Sequence, residues 1–221
     1  MIELLSRPLY GFGQVDDLLS LKPGTARRWI DGYSRGGKSY PPVVRSMSTG
    51  TELVTWGEFV ETRFLAEYRD AGVPMIHMRP AVECLKEEYQ TPYPLAFAKP
   101  FVSDRELVLR IQESVGLASP LRLVVVRSGQ LLLTSPAEQF WRAVEFDREH
   151  GVALRIHPLP DSKLVVVDPL RRFGLPVVRA VPTEIIAEQV RAGEGLATIG
   201  SLYELSVEEV EAAVRYELIS A

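Results

Sequence analysis

Two short amphipathic segments near the N-terminus constrain the fold more than any other feature of this sequence. Each places apolar side chains at an i, i+3, i+4 spacing, which predicts a short helix with one apolar face. The apolar positions are Val15, Leu18 and Leu19 in the first segment and Ala26, Trp29 and Ile30 in the second. Helices of this size bury such faces by packing on each other, with Leu21 in the corner between them. Pro23 suits the first turn of the second helix, where a missing N–H costs nothing. The spacing is typical of a helix-turn-helix.

The second helix then presents charged side chains on its outer face. If its apolar positions face inward, the outward positions are Gly24, Thr25, Arg27, Arg28 and Asp31. In a helix-turn-helix this outer face lies in the major groove of DNA, where guanidinium groups contact base edges. We predict that Arg28 makes the principal base contact.

A local excess of positive charge extends beyond this helix. Between Lys22 and Arg45 the chain has six basic residues and one acidic residue, although its net charge is −4. Gly36-Gly37 predicts the tight turn of a small β-hairpin, or wing, that carries Arg35 and Lys38 toward phosphates. The predicted DNA-binding residues are Lys22, Thr25, Arg27, Arg28, Arg35 and Lys38.

This stretch resembles the winged helix-turn-helix domains of MerR-like regulators. The resemblance rests on an aromatic residue before the first helix, Leu18-Leu19 at its end, and Arg27-Arg28-Trp29 in the second helix. It implies a DNA-binding transcription regulator. The alternative is a small helical hairpin with exposed arginines and no ligand.

The predicted wing also contains a phosphate-loop motif. Residues 32–39 match G-x-x-x-x-G-K-[ST]. Residues 164–168 have the pattern of the apolar strand that, in nucleotide hydrolases, ends in an aspartate and binds magnesium. A phosphate loop must open a helix, however, and Pro41-Pro42 follows the motif. The second proline favours extended backbone before it, so the sequence argues against a nucleotide hydrolase, which remains the alternative enzyme class.

Composition indicates an ordinary globular protein. The chain has 221 residues and one cysteine, Cys84, which excludes an intramolecular disulfide and a thiolate metal cluster. His77, His150 and His157 show no paired ligand spacing, and no nucleophile or paired-carboxylate motif is present. We expect a binding protein with no catalytic residue, metal or cofactor. We expect no membrane span or secretory leader either, and so a cytoplasmic location.

The remaining periodicities predict an α+β fold in three parts. Residues 1–95 hold the MerR-like domain with two following helices, the first opened by a Thr55-x-x-Glu58 capping box. Residues 96–164 form an α+β lobe. Its strands are predicted from the alternation over residues 107–111, from the runs 121–125 and 131–133 on either side of Ser128-Gly129, and from the runs 152–156 and 164–167. A helix opens at Ser135. Residues 165–221 form three helices, the last opened by Ser206-x-x-Glu209.

The C-terminal part is too acidic to bind DNA. From Pro182 to Ala221 it has eight glutamates and two arginines, so phosphates would repel it. Its motif order, from Asp168-Pro169 through Gly-x-Pro-Val-Val and Pro-Thr-Glu-Ile-Ile to Leu-Ser-x-Glu, is similar to a bacterial family of small helical domains common in toxin–antitoxin operons. That family usually has a Gly-Thr-Arg-Ile-like segment where this chain has residues 179–181.

Together the two ends resemble a VapB-type antitoxin. The resemblance implies a head that binds the operator of its own operon as a homodimer, and another part that silences a PIN-domain ribonuclease toxin. Arg171, Arg172 and Arg179 are the candidates for pairing with the acidic metal site of such a nuclease. Two alternatives stay open, namely solvated surface charges at these arginines and a MerR-like regulator without a toxin partner.

Overall fold

The computed structural model describes residues 2–68, 78–119, 122–127 and 130–220, and within them the fold mixes short helices with small antiparallel sheets. The α-helices are α1 (Ile2–Leu5), α2 (Phe12–Leu18), α3 (Thr25–Ile30), α4 (Trp56–Tyr68), α5 (Arg79–Tyr89), α6 (Arg105–Ser114), α7 (Ser135–Ala143), α8 (Thr183–Arg191), α9 (Leu196–Tyr203) and α10 (Val207–Ser220). The strands are β1 (Pro8–Gly11), β2 (Tyr33–Arg35), β3 (Lys38–Tyr40), β4 (Leu53–Thr55), β5 (Val124–Arg127), β6 (Gln130–Leu133), β7 (Val144–Phe146), β8 (Ala153–Ile156), β9 (Val165–Val167), β10 (Pro176–Val178) and β11 (Val181–Pro182). The predicted α+β class is confirmed.

The chain divides into two compact units. The first comprises Met1–Arg142 with Phe146–Ala153, and the second comprises Ala143–Glu145 with Leu154–Ala221. The three-part boundaries at residues 95 and 164 stay a prediction. Among the described helices, none has the length and apolar character that a membrane crossing requires.

Helix α4 is the centre of the first unit. The spacing of Phe59, Val60, Phe64, Leu65 and Tyr68 predicts one apolar side, but the helix is buried almost all round, including Glu58 and Glu61. Its aromatic side chains pack against aromatic rings of neighbouring segments. The ring of Phe64 contacts those of Phe101 and Phe140, at centroid distances of 6.0 and 5.2 Å. The predicted capping box opens the helix, because Thr55 N–H donates to Glu58 Oε2 at 2.8 Å and Glu58 N–H donates to Thr55 Oγ1 at 3.3 Å.

The strand predicted over residues 107–111 is wrong, because this segment lies within α6. Alternation over so few residues also fits a helix, in which Leu107 and Ile111 are one turn apart. Gln112, in the same helix, is buried, and its side-chain oxygen accepts hydrogen bonds from Leu123 N–H at 2.6 Å and Val124 N–H at 3.0 Å. This contact links the helix to the start of β5, so tertiary packing determines the local structure.

The other predicted elements of this region agree with the structure where it is described. Strands β5 and β6 pair as an antiparallel hairpin, and α7 begins at Ser135. The predicted turn at Ser128-Gly129 lies outside the described residues. Gly72 predicts the end of α4, and it lies outside them too.

The second unit packs three helices against an antiparallel sheet. The sheet has the order β11-β10-β9-β8-β7, and most of its residues belong to this unit. Its core joins the sheet and the helices through Val165, Val178, Ile186, Ile199 and Val210. All three predicted C-terminal helices are present. Reciprocal hydrogen bonds of 2.8 and 3.2 Å between Ser206 and Glu209 confirm the capping box of α10.

Candidate nucleic-acid interface

A buried carboxylate builds the corner between α2 and α3. Asp16, 3% exposed, accepts hydrogen bonds from Gly24 N–H at 2.6 Å and Ala26 N–H at 2.7 Å. These bonds satisfy N–H groups that the start of a helix leaves without partners. Leu21 is buried in the corner as predicted, whereas Pro23 precedes α3 instead of lying in its first turn. Asp16 therefore fixes where α3 begins and how it leaves the turn.

The inner face of α3 is largely the predicted one. Ala26 and Ile30 are fully buried, and Trp29 is half-buried. The outward orientation predicted for Thr25 and Asp31 is wrong, since they are only 8% and 7% exposed. The Thr25 hydroxyl accepts a hydrogen bond from the Arg28 guanidinium at 2.9 Å. Thr25 can therefore influence a ligand mainly by orienting Arg28.

Arg27 and Arg28 lie on the exposed face of α3. Arg27 forms an ion pair with Glu52 at 2.5 Å, and its guanidinium lies 5.5 Å from the centroid of the Phe12 ring. Its side chain is still 54% exposed, so this pair adds little stability and can exchange for a phosphate. Among the described residues, Arg28 has no carboxylate partner. The helix thus offers two cations, one of them already oriented by Thr25.

The predicted wing is an antiparallel hairpin. Strands β2 and β3 pair Tyr33 with Tyr40 and Arg35 with Lys38, and the two tyrosine rings stack with centroids 4.5 Å apart. Gly36 and Gly37 form the turn with φ of +58° and +75°, a conformation that favours glycine at both positions. Arg35 and Lys38 flank this turn and are exposed. Lys22 is also exposed, before α3.

The phosphate-loop motif is accounted for by this hairpin. Its first glycine, Gly32, has a φ of +76°, and a Cβ there would lie 2.6 Å from the carbonyl oxygen of Tyr40. Its other two glycines form the hairpin turn, and Ser39 lies within β3, with no helix directly after it. All three glycines are therefore required by backbone geometry, whereas a phosphate loop needs the N-terminus of a helix directly after it.

Arg45, counted in the basic excess, is buried and holds the segment behind the hairpin together. It donates to Asp31 Oδ1 at 2.7 Å, to Glu58 Oε1 at 2.6 Å, and to the carbonyl oxygen of Leu53 at 2.7 Å. Burial would raise the pKa of Asp31, but hydrogen bonds from the Thr49 N–H and from Arg45 lower it to about 2. Arg45 is thus a structural cation, and the exposed basic residues of this surface are Lys22, Arg27, Arg28, Arg35 and Lys38.

Helix α5 holds the same segment from its other end. Arg79 donates to the carbonyl oxygens of Pro42 and, at 2.8 Å, Ser46. Lys86 donates to the carbonyl oxygen of Val44 at 2.6 Å. The chain that leaves the hairpin is therefore fixed between α3, α4 and α5, which restricts the position of the wing relative to α3.

The three arginines proposed for toxin contact lie in the second unit. Arg179 donates to Glu209 Oε1 at 2.7 Å, and the pKa of Glu209 is lowered first by the hydrogen bond from Ser206 N–H and then by this bond from Arg179. Arg172 donates to the carbonyl oxygen of Ala180 at 3.2 Å. The Arg171 guanidinium lies 3.5 Å from Asp168. All three arginines remain exposed, but Arg179 is the most firmly engaged within the chain.

Comparison with known proteins places the chain in a family. No family model matches the sequence. The chain is 40% identical, over 220 residues, to a protein of Mycobacterium tuberculosis named "Uncharacterized protein Rv2308", and the match covers 96% of this chain and 91% of that protein. The chain belongs to the Rv2308 family.

This Rv2308-family protein is also similar to a second curated sequence and to a solved crystal structure. It is 26% identical over 222 residues to a protein of the same organism named "Putative antitoxin VapB45", with 94% of this chain and 92% of that protein covered. The crystal structure of Rv2018 from Mycobacterium tuberculosis superposes with a TM-score of 0.75 at 26% identity, covering 96% of this chain and 97% of that chain.

Sequence reasoning missed the polar contacts that shape this surface of the Rv2308-family protein. Asp16 is adjacent to the equally acidic Asp17, and only its burial marks it as the group that caps α3. In the sequence, nothing distinguishes Arg45 from the other basic residues of the local positive excess. Of Asp16, Arg45 and Glu58, only Glu58 had a recognisable sequence signal, namely its capping-box spacing with Thr55.

Proposed function

We propose that this member of the Rv2308 family is an antitoxin and autorepressor. In this proposal its N-terminal winged helix-turn-helix binds the operator of its own operon, and another part neutralises a PIN-domain ribonuclease toxin. The observation that carries the DNA-binding half is the exposed cationic surface formed by α3 and the adjacent hairpin, in a chain of net charge −4. The name of the VapB45 relative supports the antitoxin half.

The proposed DNA contacts divide into two kinds. Arg27 and Arg28 project from α3 and enter the major groove, where a guanidinium can bind a guanine through two hydrogen bonds. Arg35 and Lys38 at the hairpin turn, with Lys22, contact phosphates and fix the orientation of the helix. The hydrogen bond from Arg28 to Thr25 supports this division, because an oriented guanidinium loses less entropy on binding a base.

We also propose that the operator complex contains two copies of the chain. Helix α3 has six residues, so one copy contacts few base pairs. A homodimer on an inverted repeat doubles the contacts, with half-sites about one helical turn or a multiple of it apart. Sedimentation of the free protein and of the complex tests this, and a monomer in both at micromolar concentration would contradict it.

In the toxin half of the proposal, an arginine of the second unit pairs with the metal-binding carboxylates of the nuclease and displaces Mg²⁺. Arg171 and Arg172 are better placed for this role than Arg179, because Arg179 is already bonded to Glu209. No residue of this chain is proposed to be catalytic, and the protein would act in the cytoplasm beside its toxin.

The deciding experiment measures two activities of one protein preparation. Fluorescence anisotropy with DNA from upstream of the gene, against a scrambled fragment at several salt concentrations, tests operator binding. Cleavage of RNA by the PIN-domain ribonuclease that this proposal expects in the adjoining reading frame, with and without this protein, tests neutralisation. Specific DNA binding without inhibition would identify a MerR-like regulator that has no toxin partner. The absence of both activities would refute the proposal.

A further inference from the structure

One aromatic side chain of the second unit is almost fully exposed. Phe173 is 78% exposed, and Leu170, three residues earlier, is 67% exposed. Both lie in the short segment that joins β9 to β10. Leaving a phenylalanine ring in water forgoes the free energy that its burial would contribute, and exposed aromatic residues are enriched at sites where proteins bind each other.

The backbone around Phe173 is held in an unfavourable conformation. Arg172, Phe173 and Gly174 have φ of +45°, +56° and +75°, in the left-handed region that only glycine adopts freely. Backbone in this region persists where the surrounding structure imposes it, and it clusters at functional sites. A glycine at position 173 would relieve the unfavourable φ, so the ring is present at a cost in stability.

The turn is nevertheless well fixed. Asp168, 4% exposed, accepts a hydrogen bond from Leu170 N–H at 2.9 Å through its carboxylate and one from Arg171 N–H at 3.0 Å through its carbonyl oxygen. Gly174 N–H donates to the carbonyl oxygen of Arg171 at 2.9 Å. Because these bonds determine the path of the backbone, the point from which the Phe173 side chain leaves the turn is largely set before any partner arrives.

The charge beside the ring is positive. Arg171 precedes it with a side chain that is 59% exposed, and Arg172 is exposed, with its Nε bonded to the carbonyl oxygen of Ala180. The carboxylate that pairs with Arg171, that of Asp168, is buried, so the exposed side of the pair is the guanidinium. The exposed part of this turn thus combines an aromatic ring, an aliphatic side chain and two guanidinium groups.

We propose that residues 170–173 form a docking site for a protein whose surface has an apolar pocket rimmed by carboxylates. Phe173 fills the pocket, Leu170 packs at its edge, and Arg171 and Arg172 pair with the rim. Aromatic and arginine side chains dominate the energetics of protein interfaces, and a rigid turn reduces the entropy lost on binding. This inference rests on the proposed function, in which the partner is the PIN-domain ribonuclease.

The test compares a variant that removes the ring with one that removes an equally exposed apolar side chain. Phe173→Gly deletes the ring and relieves the positive φ, so we expect an unchanged or higher Tm together with at least a tenfold rise in the Kd for the adjoining PIN-domain ribonuclease, measured by calorimetry. Leu218→Ala, at a residue 74% exposed on α10, serves as the matched control and should leave the Kd unchanged.

A second pair of variants tests the charges. The double variant Arg171→Glu with Arg172→Glu should weaken binding more than tenfold at low salt and less at high salt, because screening reduces the attraction that is lost. Arg191→Glu changes an exposed arginine of α8 and should have little effect. A photo-crosslinking phenylalanine analogue at position 173 should crosslink to the ribonuclease.

The outcomes separate this inference from the proposed function. If the unaltered protein binds the ribonuclease and Phe173→Gly binds equally well, the docking site is wrong while the antitoxin function stands. If the unaltered protein does not bind the ribonuclease, both are wrong. A crosslink from position 173 to a second copy of this chain would also overturn the docking site, because the turn would then serve dimerisation.

Discussion

The Arg45 guanidinium forms two hydrogen bonds with the Glu58 carboxylate, from Nε to Oε1 at 2.6 Å and from an Nη to Oε2 at 3.1 Å. Glu58 also completes the capping box of α4, so one carboxylate connects the start of the central helix to the segment behind the hairpin. The same guanidinium bonds to Asp31 at the end of α3. The arrangement of the proposed DNA-binding surface therefore depends on a cation that is itself buried.

Substituting Arg45 should unfold or loosen this surface. Arg45→Ala leaves the carboxylates of Asp31 and Glu58 buried without their cation, so we expect a loss of about 3–5 kcal/mol in the free energy of unfolding. Arg142→Ala removes an arginine that pairs with Glu138 on an exposed surface, and it should cost under about 1 kcal/mol. Chemical denaturation measures both, and equal losses would contradict the structural role of Arg45.

Substitutions of Asp16 and of its neighbour Asp17 test whether Asp16 caps the start of α3. Asp16→Ala removes the acceptor of two backbone N–H groups, and we expect a loss of about 1–3 kcal/mol in stability together with weaker DNA binding. Asp17 is exposed, so Asp17→Ala should be within about 0.5 kcal/mol of the unaltered protein. Denaturant midpoints and anisotropy titrations test this, and a larger effect at Asp17 would refute the capping role of Asp16.

Glu61 should make stability fall as the pH rises through neutrality. Burial raises its pKa from 4.5 to about 8, against the opposing effect of the hydrogen bond from Leu95 N–H. Below pH 4.5 the carboxyl group is protonated in both the folded and the unfolded chain. Between these values only the folded chain keeps the proton, so this group lowers the free energy of unfolding by up to about 1.4 kcal/mol per pH unit.

Glu61→Gln should therefore remove this loss of stability between pH 5 and pH 8, as measured by Tm at a series of pH values. Glu87→Gln, at an exposed position of α5, is the control and should keep the pH dependence. Parallel Tm curves for Glu61→Gln and the unaltered protein would show that Glu61 is ionised at neutral pH.

Arg28 and Lys38 should affect DNA binding differently. Arg28→Ala should reduce discrimination between operator and scrambled DNA by about 1–3 kcal/mol, because a base contact is lost. Lys38→Ala should weaken both complexes alike and lower the salt slope by about one unit, because a phosphate contact is lost. Anisotropy titrations over a range of salt measure both effects. Equal losses on operator and scrambled DNA for Arg28→Ala would overturn its assignment.

The hairpin formed by the phosphate-loop motif should not bind nucleotide. ATP with Mg²⁺ should leave the Tm unchanged, both in the unaltered protein and in Lys38→Ala, whose exposed position makes it harmless to the fold. A functioning phosphate loop would instead stabilise the protein by about 2.7 kcal/mol at a hundredfold excess of nucleotide over its Kd. A rise in Tm that disappears in Lys38→Ala would show that the chain is a nucleotide-binding protein.

Elements whose signals are local could be predicted from the amino-acid sequence alone. The spacing of Ala26 and Ile30 gave α3 its buried face, Gly36-Gly37 gave the hairpin turn, and the capping boxes at Thr55 and Ser206 marked two helix starts. Each of these signals acts within a few residues, so it can be recognised without knowing what lies nearby in space.

Features that depend on partners distant in the chain could not be predicted from the sequence and became apparent in the folded protein. The side-chain amide of Gln112 bonds to Leu123 and Val124, more than ten positions away. It lies in the same helix as residues 107–111, for which alternation predicted a strand. Arg45 became a buried structural cation because Asp31 and Glu58, 14 and 13 positions away, converge on it. The same side chain would serve as a surface charge elsewhere, since burial and pairing determine the role of an ionisable group and neither is encoded in local spacing.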